Sequence, residues 1–330
     1  MTNDRLDVVS LGNAIVDVLA NEDDAFLAQH DLVKGSMQLV DADRAGAIYN
    51  DMGPAVEASG GSAANTAAGV ASLGGTAGFI GKVRDDQLGA VYTHDLRAAG
   101  VEFTVAPAES GPATAQSFII ITPDAERTMN TFLGASTDLA PDDVDPALIA
   151  RASVVYLEGY LWDPPVAKDA FRQAMALAKE AGARVALTLS DSFCVDRFRD
   201  EFVGLLGDSV DVLFANEGEI LSLFQIDDLD AALAIASETC EIVTVTRSEL
   251  GSVVVAKGER HDVPAHPIGP LVDTTGAGDL YAAGFLFGLT HGYDLERCAR
   301  LGNLCAGECI SHIGPRPAVS LADLAARELA

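Results

Sequence analysis

The chain has 330 residues and a formal net charge of −28, because 49 Asp and Glu residues face only 21 Lys and Arg residues. Proteins that bind nucleic-acid backbones or anionic membranes present a basic patch or stripe, so this composition argues against both classes of protein. Hydrophobic residues make up 49% of the chain and charged residues 21%, which is the profile of a globular protein.

Neither a membrane span nor a secretory signal is expected. No run of about 18 apolar residues is present, and the amino terminus lacks a basic region followed by an apolar run. The five cysteines include no CxxC pair. Three of them, Cys298, Cys305 and Cys309, share one face of a predicted helix and are expected to be buried small apolar residues. These features are typical of a cytoplasmic, reduced protein.

Short β-branched runs alternate with helical patterns along most of the chain. One helix is predicted to start at Asp163-Pro164-Pro165, where the carboxylate caps the first turn, and to end at Gly182. Such alternation is typical of an α/β fold with an open, mostly parallel sheet and helices on both faces. The predicted strands are residues 7–12, 76–80, 153–157, 184–189, 211–215, 241–246 and 252–256.

One region breaks this alternation. Within residues 101–136 the strand-like runs 116–122 and 127–133 are joined by a Pro-Asp turn, which predicts a β-hairpin. Residues 14–40 are expected to hold further short strands. We expect these two segments to form a small sheet, a lid, inserted in a single domain of residues 1–330.

The motif DTTGAGD at residues 273–279 is followed by an apolar helical run. Small residues and glycines at a helix start leave backbone N–H groups free, and with the helix dipole they form an anion site. A carboxylate at Asp279 would repel a bound phosphate, so it fits best if it takes a proton from a hydroxyl that attacks the phosphate. The alternative is that Asp279 only complements the helix dipole.

Two other glycine-containing strings fail as nucleotide motifs. Residues 11–14 follow the first strand but carry only one of the glycines of a dinucleotide fingerprint, which argues against a dehydrogenase. Residues 81–83 read Gly-Lys-Val and lack the remaining Walker A positions.

A second cluster, GGSAANT at residues 60–66, enters an Ala-rich helix. The glycines allow another group to approach the backbone closely, Ser62 is placed to cap the helix, and Asn65 lies one turn further on. An ordinary loop and cap is the alternative. Asp17 lies in an apolar strand-like run, and a buried Asp needs partners such as sugar hydroxyls.

A third cluster is Asn216-Glu217-Gly218-Glu219, directly after a predicted strand. Carboxylate and amide oxygens at the carboxyl end of a strand suit a hydrated Mg²⁺. An ordinary helix cap is again the alternative.

Together these motifs resemble the ribokinase-like, or PfkB, family of sugar and nucleoside kinases. GGSAAN at 60–65 and DTTGAGD at 273–279 are similar to its two signatures, and Asn216-x-x-Glu219 to its magnesium-associated motif. The resemblance runs from about residue 7 to residue 312. Within the family, residues 12–17, 127–134, 156–160, 188–193 and 212–217 look closest to the adenosine kinases.

The resemblance implies a three-layer α/β/α fold with a small β-sheet lid, and an ATP-dependent kinase. The implied acceptor is the 5′-hydroxyl of a nucleoside, adenosine first, which would yield AMP. The alternative is a sugar kinase of the ribokinase or fructokinase type. A binding protein without catalysis would be expected only if Asp279 or the motif glycines were lost. The implied partners are therefore ATP and a nucleoside or sugar, in a monomer or homodimer.

The resemblance also implies roles for individual residues. Asp279 would be the general base, and the backbone N–H groups of Gly276, Ala277 and Gly278 would bind the transferred phosphoryl group. Asp17 would bind the ribose hydroxyls, supported by Gly61, Ser62 and Asn65. The base side of the acceptor pocket would be lined by Asn13, Ile15, Leu133 and Tyr160.

On the nucleotide side, Arg127 would swing from the hairpin over the phosphates. Glu219, with Asn216, would order Mg²⁺ through water, and Asp273 and Thr275 would contribute to a monovalent cation site, K⁺ in many members. The remaining implied ATP contacts are Asn216, Thr246, Arg247, Gly251, Gly276, Gly278 and Asn303.

Two positions depart from the family's pattern. Ser248 stands where a glycine is usual near the nucleotide, so the resemblance does not determine the backbone conformation there. Met37 stands where adenosine kinases often carry a polar residue. Because the net charge of −28 opposes a polyanionic nucleotide, binding would rest on short-range donors such as backbone N–H groups, Mg²⁺ and a few arginines.

Overall fold

The computed structural model describes residues 5–124, 126–162 and 164–329. The predicted cap at Asp163 and the amino-terminal residues 1–4 lie outside this range. The strands are β1 Leu6–Leu11, β2 Ile15–Asn21, β3 Met37–Leu39, β4 Ala55–Ser59, β5 Ala77–Ile80, β6 Val101–Phe103, β7 Ala115–Ile121, β8 Arg127–Phe132, β9 Ala152–Glu158, β10 Arg184–Thr188, β11 Val212–Asn216, β12 Ile242–Thr246, β13 Ser252–Ala256 and β14 Glu259–Val263.

The larger sheet has the strand order β14-β13-β12-β11-β10-β9-β1-β5-β6. The seven strands β12, β11, β10, β9, β1, β5 and β6 run parallel to one another. At one edge, β13 pairs antiparallel with both β12 and β14. The expectation of a mostly parallel sheet is confirmed, and each predicted strand overlaps a strand of this sheet. The central strands are continuous apolar runs because helices cover both of their faces.

Helices flank this sheet on both sides and make three layers. Along β1, Val9 and Leu11 belong to the hydrophobic core on one face, and Val8 belongs to the core on the other. The helices of the described residues are α1 Asp24–Gln29, α2 Ala42–Asp51, α3 Ser62–Ser72, α4 Gln87–Ala98, α5 Pro146–Ala150, α6 Pro165–Ala181, α7 Ser192–Ser209, α8 Glu217–Phe224, α9 Leu229–Ser237, α10 Ala277–Thr290, α11 Leu295–Cys309 and α12 Leu321–Glu328.

Helix α6 shows why its start and end could be predicted from proline and glycine in the sequence. It begins at Pro165, whose ring suits a first helical turn, and ends before Gly182, which takes a left-handed φ of 68°. None of the described helices is long and apolar enough to cross a membrane. The five cysteines are buried thiols, and the expected burial of Cys298, Cys305 and Cys309 is confirmed.

A second sheet has the order β3-β8-β7-β2-β4. The predicted hairpin is confirmed as the antiparallel pair β7 and β8. Two boundaries of the predicted lid were wrong. Val101–Phe103 pairs with β5 and extends the larger sheet, and β4, outside the predicted segments, pairs with β2 in the smaller one. Short strands are weak local signals, because pairing partners distant in sequence decide their sheet.

Candidate active site

The predicted motifs converge at one edge of the larger sheet. Asn13 follows β1, Glu158 ends β9, Asn216 ends β11 and Thr246 ends β12. Since these strands are parallel, their carboxyl ends share an edge, where ligands bind in open α/β folds. Helices α3 and α10 pack against each other beside it.

Asp279 lies in the first turn of α10 and joins the two signature motifs. Its Oδ1 accepts a hydrogen bond of 2.6 Å from Ser62 Oγ, and its Oδ2 accepts one of 3.0 Å from Asn65 Nδ2. Thr66 Oγ1 also donates to the Asp279 carbonyl at 3.1 Å. The carboxylate is therefore held in one orientation by donors from α3.

Burial raises the pKa of Asp279, and the hydrogen bonds from Ser62 and Asn65 oppose that rise. A raised pKa makes the carboxylate a stronger base. The expectation that Ser62 caps α3 was wrong. Gly61 is the cap residue, at φ 89° and without a side-chain bond, which leaves the Ser62 hydroxyl to reach Asp279.

The loop before α10 presents backbone N–H groups at a helix start. Gly276 has φ 80°, and a Cβ there would lie 2.7 Å from Pro315 Cα, so only glycine fits. Gly278 is exposed in the first turn, where N–H groups have no carbonyl of their own helix to bind. The Ala277 N–H donates to Thr274 O at 3.2 Å, so this predicted donor is engaged within the loop.

Arg127 crosses from β8 of the smaller sheet to this loop. Its Nη2 lies 2.7 Å from Asp273 Oδ2. The Asp273 side chain is fully buried, and the Arg127 side chain is partly buried, with an exposed fraction of 13%. Its Nη1 donates to Thr275 Oγ1 at 3.3 Å. The structure thus places Arg127 on the signature motif itself.

The residues around Asp273 do not fit a monovalent cation in this arrangement. Asp273 accepts the N–H groups of Thr275 at 3.0 Å and Gly314 at 2.8 Å, and Arg127 balances its charge. The Thr275 carbonyl accepts the Cys309 thiol at 3.2 Å. Within the described ranges no group of three His, Cys, Asp or Glu side chains is placed to hold a metal.

Asp17 on β2 is 7% exposed and lies against the glycines before α3. A Cβ on Gly60 would be 2.3 Å from Asp17 Oδ2, and one on Gly61 2.2 Å from the Asn13 carbonyl. Burial raises the pKa of Asp17 to about 7, while the charge of Arg316 opposes the rise. The carboxylate is thus held close to the loop that carries the first signature.

Glu158 is a site residue that the sequence reasoning missed. It is 1% exposed, its Oε1 accepts Asn13 Nδ2 at 2.9 Å, and its Oε2 accepts the Ala63 N–H at 2.9 Å. Burial raises its pKa to about 7. Asn13 Oδ1 is buried and has no hydrogen-bond partner among the described residues. The one available signal was an acid ending an apolar strand.

A cavity of about 200 Å³ opens beside the smaller sheet. Of the residues predicted on the base side, Leu133 lines it, with Leu39, Val40 and Pro112. Ile15 is half-buried. The hydroxyl of Tyr160 instead donates to Ser190 O at 3.3 Å, and its ring packs against the core below the sheet edge.

The segment after β12 carries the predicted nucleotide contacts. Ser248 adopts φ 51°, so the chain keeps a left-handed conformation where the family usually has glycine. Arg247 Nε donates to Glu217 Oε2 at 3.0 Å. Gly251 has φ 90°, and a Cβ there would meet the Val263 carbonyl at 2.1 Å. The turn therefore has left-handed backbone at both Ser248 and Gly251.

Asn303 on α11 supports the same region. Its Nδ2 donates to the carbonyls of Val263 at 3.1 Å and Pro264 at 3.0 Å. Both donors of the amide are thereby used on the segment that Gly251 packs against.

Asn216 and Glu219 form a capping box at the start of α8, the alternative considered for this motif. Glu219 Oε2 accepts the Asn216 N–H at 2.9 Å, and Asn216 Oδ1 accepts the Glu219 N–H at 2.8 Å. Burial raises the pKa of Glu219 to about 7. Each carboxylate oxygen keeps a lone pair that a metal-bound water could use, so the pair fits a hydrated Mg²⁺ as well.

Arg316 is a second residue that sequence reasoning missed, since it lies in an irregular segment without a motif. Its Nη1 donates to Ser59 Oγ at 2.6 Å, and its Nε donates to Asn65 Oδ1 at 3.4 Å. It therefore connects the end of β4 to the helix that contacts Asp279.

Comparison with known proteins agrees with this geometry. The sequence pattern described as pfkB family carbohydrate kinase matches residues 41–321. Adenosine kinase from Sinorhizobium meliloti is 56% identical, with a TM-score of 0.93 over 99% of this chain and 100% of that one. A probable sugar kinase from Rhizobium etli CFN 42 is 51% identical, with a TM-score of 0.93 over 98% of each chain. Adenosine kinase from Saccharomyces cerevisiae is 30% identical over 330 residues, 93% of this chain and 96% of that protein.

Proposed function

The chain belongs to the pfkB family of carbohydrate kinases, phosphotransferases that act on a hydroxyl group, and on this premise we propose that it phosphorylates the 5′-hydroxyl of a nucleoside with ATP. Adenosine is the proposed first acceptor, which gives AMP. The observation that carries the proposal is the carboxylate of Asp279, held by Ser62 and Asn65 at the start of α10. The fold and family expected from the sequence are confirmed.

In this mechanism Asp279 takes the proton of the attacking hydroxyl. Its two oxygens already accept hydrogen bonds from α3, so its free lone pairs point in fixed directions and little reorganisation is needed. The N–H groups of Gly276 and Gly278 at the helix start stabilise the charge on the transferred phosphoryl. Phosphoryl transfer passes through a loose transition state, so positioning and charge stabilisation supply most of the catalysis.

Mg²⁺ would neutralise charge on the nucleotide phosphates when bound. The capping box of Asn216 and Glu219 would orient a water of its coordination shell, because both side chains are fixed by each other. Magnesium usually keeps several waters and takes few protein ligands, which agrees with an indirect contact through water at this pair.

The acceptor is proposed to lie between the two sheets. Asp17 would accept hydrogen bonds from the ribose hydroxyls, and the unpartnered Oδ1 of Asn13 would accept another donor of the ligand. The cavity beside Leu133 would take the base, and its largely apolar lining, which includes Phe132, suits a flat heterocycle. The smaller sheet would act as a lid that excludes water during transfer.

A sugar is the second candidate acceptor. It is favoured by the 51% identity to the probable sugar kinase from Rhizobium etli. The cavity beside Leu133 distinguishes the two candidates, because a free sugar has no base to fill it.

The test is ATP-dependent phosphorylation of a panel of nucleosides and sugars. Asp279→Asn is expected to lower kcat by about 10²–10⁴-fold, since general base catalysis contributes that much. Asp169→Asn, an exposed site on α6 paired with Arg172, is the control. A variant at Asp279 with wild-type kcat would overturn the mechanism, and a preference for ribose or fructose in kcat/KM would overturn the nucleoside assignment.

A further inference from the structure

Arg316 lies between β4 of the smaller sheet and helix α3. It donates to Ser59 Oγ at the end of β4 and to Asn65 Oδ1 on α3. Its Nη2 is buried and has no hydrogen-bond partner among the described residues. A buried N–H donor without a hydrogen-bond partner is energetically costly. The placement of this guanidinium therefore calls for a functional explanation.

The first effect of Arg316 concerns the orientation of Asn65. Because the arginine donates to Oδ1, the amide must turn its Nδ2 toward Asp279, where it donates at 3.0 Å. A flipped amide would set Oδ1 against the Asp279 carboxylate, acceptor against acceptor. Arg316 therefore determines which end of Asn65 faces the base.

The second effect concerns charge at Asp17. The charged groups that face this carboxylate are Arg316 and Arg127, which favour its ionised form, and Asp279 and Asp273, which oppose it. Arg316 is the strongest of these charges at Asp17. Arg127 already forms an ion pair with Asp273 at 2.7 Å. Arg316 instead donates to Ser59 Oγ, directly before Gly60, whose Cβ position lies 2.3 Å from Asp17 Oδ2, so its positive charge lies on the Asp17 side of the site.

We propose that Arg316 is a positioning residue of the kinase site, which holds Asn65 against Asp279 and places a positive charge beside Asp17, where the acceptor's hydroxyls would bind. The role toward the acceptor rests on the proposed function. The role toward Asn65 rests on the hydrogen bonds of Arg316 and Asn65, and the role toward Asp17 rests on the position of Arg316 at Ser59.

The test compares three variants. Arg316→Met keeps the length of the side chain and removes its charge, while Arg316→Lys keeps the charge and loses the paired donors. Arg300→Met is the control, because Arg300 is exposed on α11, pairs with Glu296, and makes the same change in net charge.

In Arg316→Met the acidic limb of kcat/KM for the acceptor is expected to move to higher pH by about one unit, since an opposite charge nearby shifts a carboxyl by about that much or more. At pH 7 kcat/KM then falls about fivefold, because the ionised fraction of Asp17 falls from about one half to about one tenth, and it recovers toward pH 9. Arg316→Lys is expected to leave the acidic limb of the pH profile at its wild-type position. Its kcat is expected to fall, because the amide of Asn65 is no longer held in one orientation. Arg300→Met is expected to match the wild type.

A purely structural role would lower the melting temperature of Arg316→Met and leave the acidic limb in place, and that result would overturn the proposal. A second readout needs no turnover. The ¹³C carboxyl resonance of Asp17, assigned with Asp17→Asn, is expected to titrate at higher pH in Arg316→Met than in the wild type.

The two readouts separate the proposals. If the wild type phosphorylates no acceptor while the Asp17 resonance shifts in Arg316→Met, the proposed function is wrong and the role of Arg316 stands. If the resonance titrates identically in both proteins, the role of Arg316 is wrong whatever the activity.

Discussion

Arg127 of the smaller sheet forms an ion pair with the buried Asp273 of the DTTGAGD motif, with 2.7 Å between Nη2 and Oδ2. The pair joins a strand of the proposed lid to the loop that begins α10. It also puts a fixed positive charge where the family resemblance implied a monovalent cation. Removing one partner of a buried pair leaves an uncompensated charge, which costs about 3–5 kcal/mol.

This pair predicts that the wild-type enzyme responds little to K⁺. Activity and melting temperature are expected to be equal in KCl and in tetramethylammonium chloride at the same ionic strength. Arg127→Gln removes the guanidinium from Asp273, so this variant is expected to lose activity and to regain thermal stability selectively in KCl. Activation of the wild type several-fold by K⁺, or a variant without a K⁺-dependent melting temperature, would contradict the prediction.

Asp17→Asn is predicted to stabilise the protein at high pH while it weakens acceptor binding. Because the folded-state pKa of Asp17 is raised from 3.8 to about 7, the wild type is destabilised as pH rises from about 4 to 7, and the full penalty applies above 7. The variant lacks this penalty. Its free energy of unfolding is expected to exceed that of the wild type by about 4 kcal/mol at pH 8, since each pKa unit corresponds to about 1.4 kcal/mol, and to equal it near pH 4.

Urea unfolding at the two pH values measures this difference, and acceptor KM measures the functional cost. An equal gain at pH 4 and pH 8 would show that ionisation of Asp17 is not its cause.

Glu219→Gln separates the two roles of the Asn216–Glu219 pair. Glutamine still completes a capping box, so α8 and the melting temperature are expected to be retained. The lost charge is expected to raise the Mg²⁺ concentration needed for half-maximal activity by about tenfold, the cost typical of a group that orients a metal's ligands. Glu238→Gln, at the exposed end of α9, is the control. If Mg²⁺ dependence does not change in Glu219→Gln, the pair is only a helix cap.

Gly12→Ala is predicted to disturb the acceptor side through Glu158. A Cβ at this position would lie 2.3 Å from Glu158 Oε2 and 2.6 Å from Ala63 Cβ, so overpacking is expected to cost about 1–3 kcal/mol and to raise acceptor KM. Gly46→Ala on α2 is the matched control, since nothing lies within 4 Å of its Cβ. It is expected to gain about 0.5–1 kcal/mol of helix stability. Equal unfolding energies for the two variants would contradict this account.

Much of the fold could be predicted because its signals are local. The buried strands are continuous β-branched runs, and α6 has proline at its start and glycine at its end. Strand β6 was placed in the wrong sheet because its pairing with β5 is set by packing rather than by its own residues. The same limit applied to β4, whose five residues are mostly exposed.

In the candidate site, too, residues within a local motif could be predicted and residues brought together by the fold could not. Asp279 could be predicted because it lies inside a dense motif at a helix start. Glu158 and Arg316 could not, because their roles depend on which segments the fold brings together. Ser62 was assigned to the cap of its own helix, whereas its hydroxyl reaches a helix more than two hundred residues later in sequence.

The smaller sheet has a further consequence for how the chain folds. Its strands β2 and β7 pair in parallel, with Ile15 opposite Ala115, so the sheet cannot close until the intervening chain is in place. Contacts of such long sequence separation are formed slowly because loop closure must precede them. Strands β1 and β9 of the larger sheet pair across a still longer stretch, with Leu6 opposite Ala152. We therefore expect both sheets to acquire amide protection together, late in refolding. The ability to turn over substrate should then appear with the last kinetic phase.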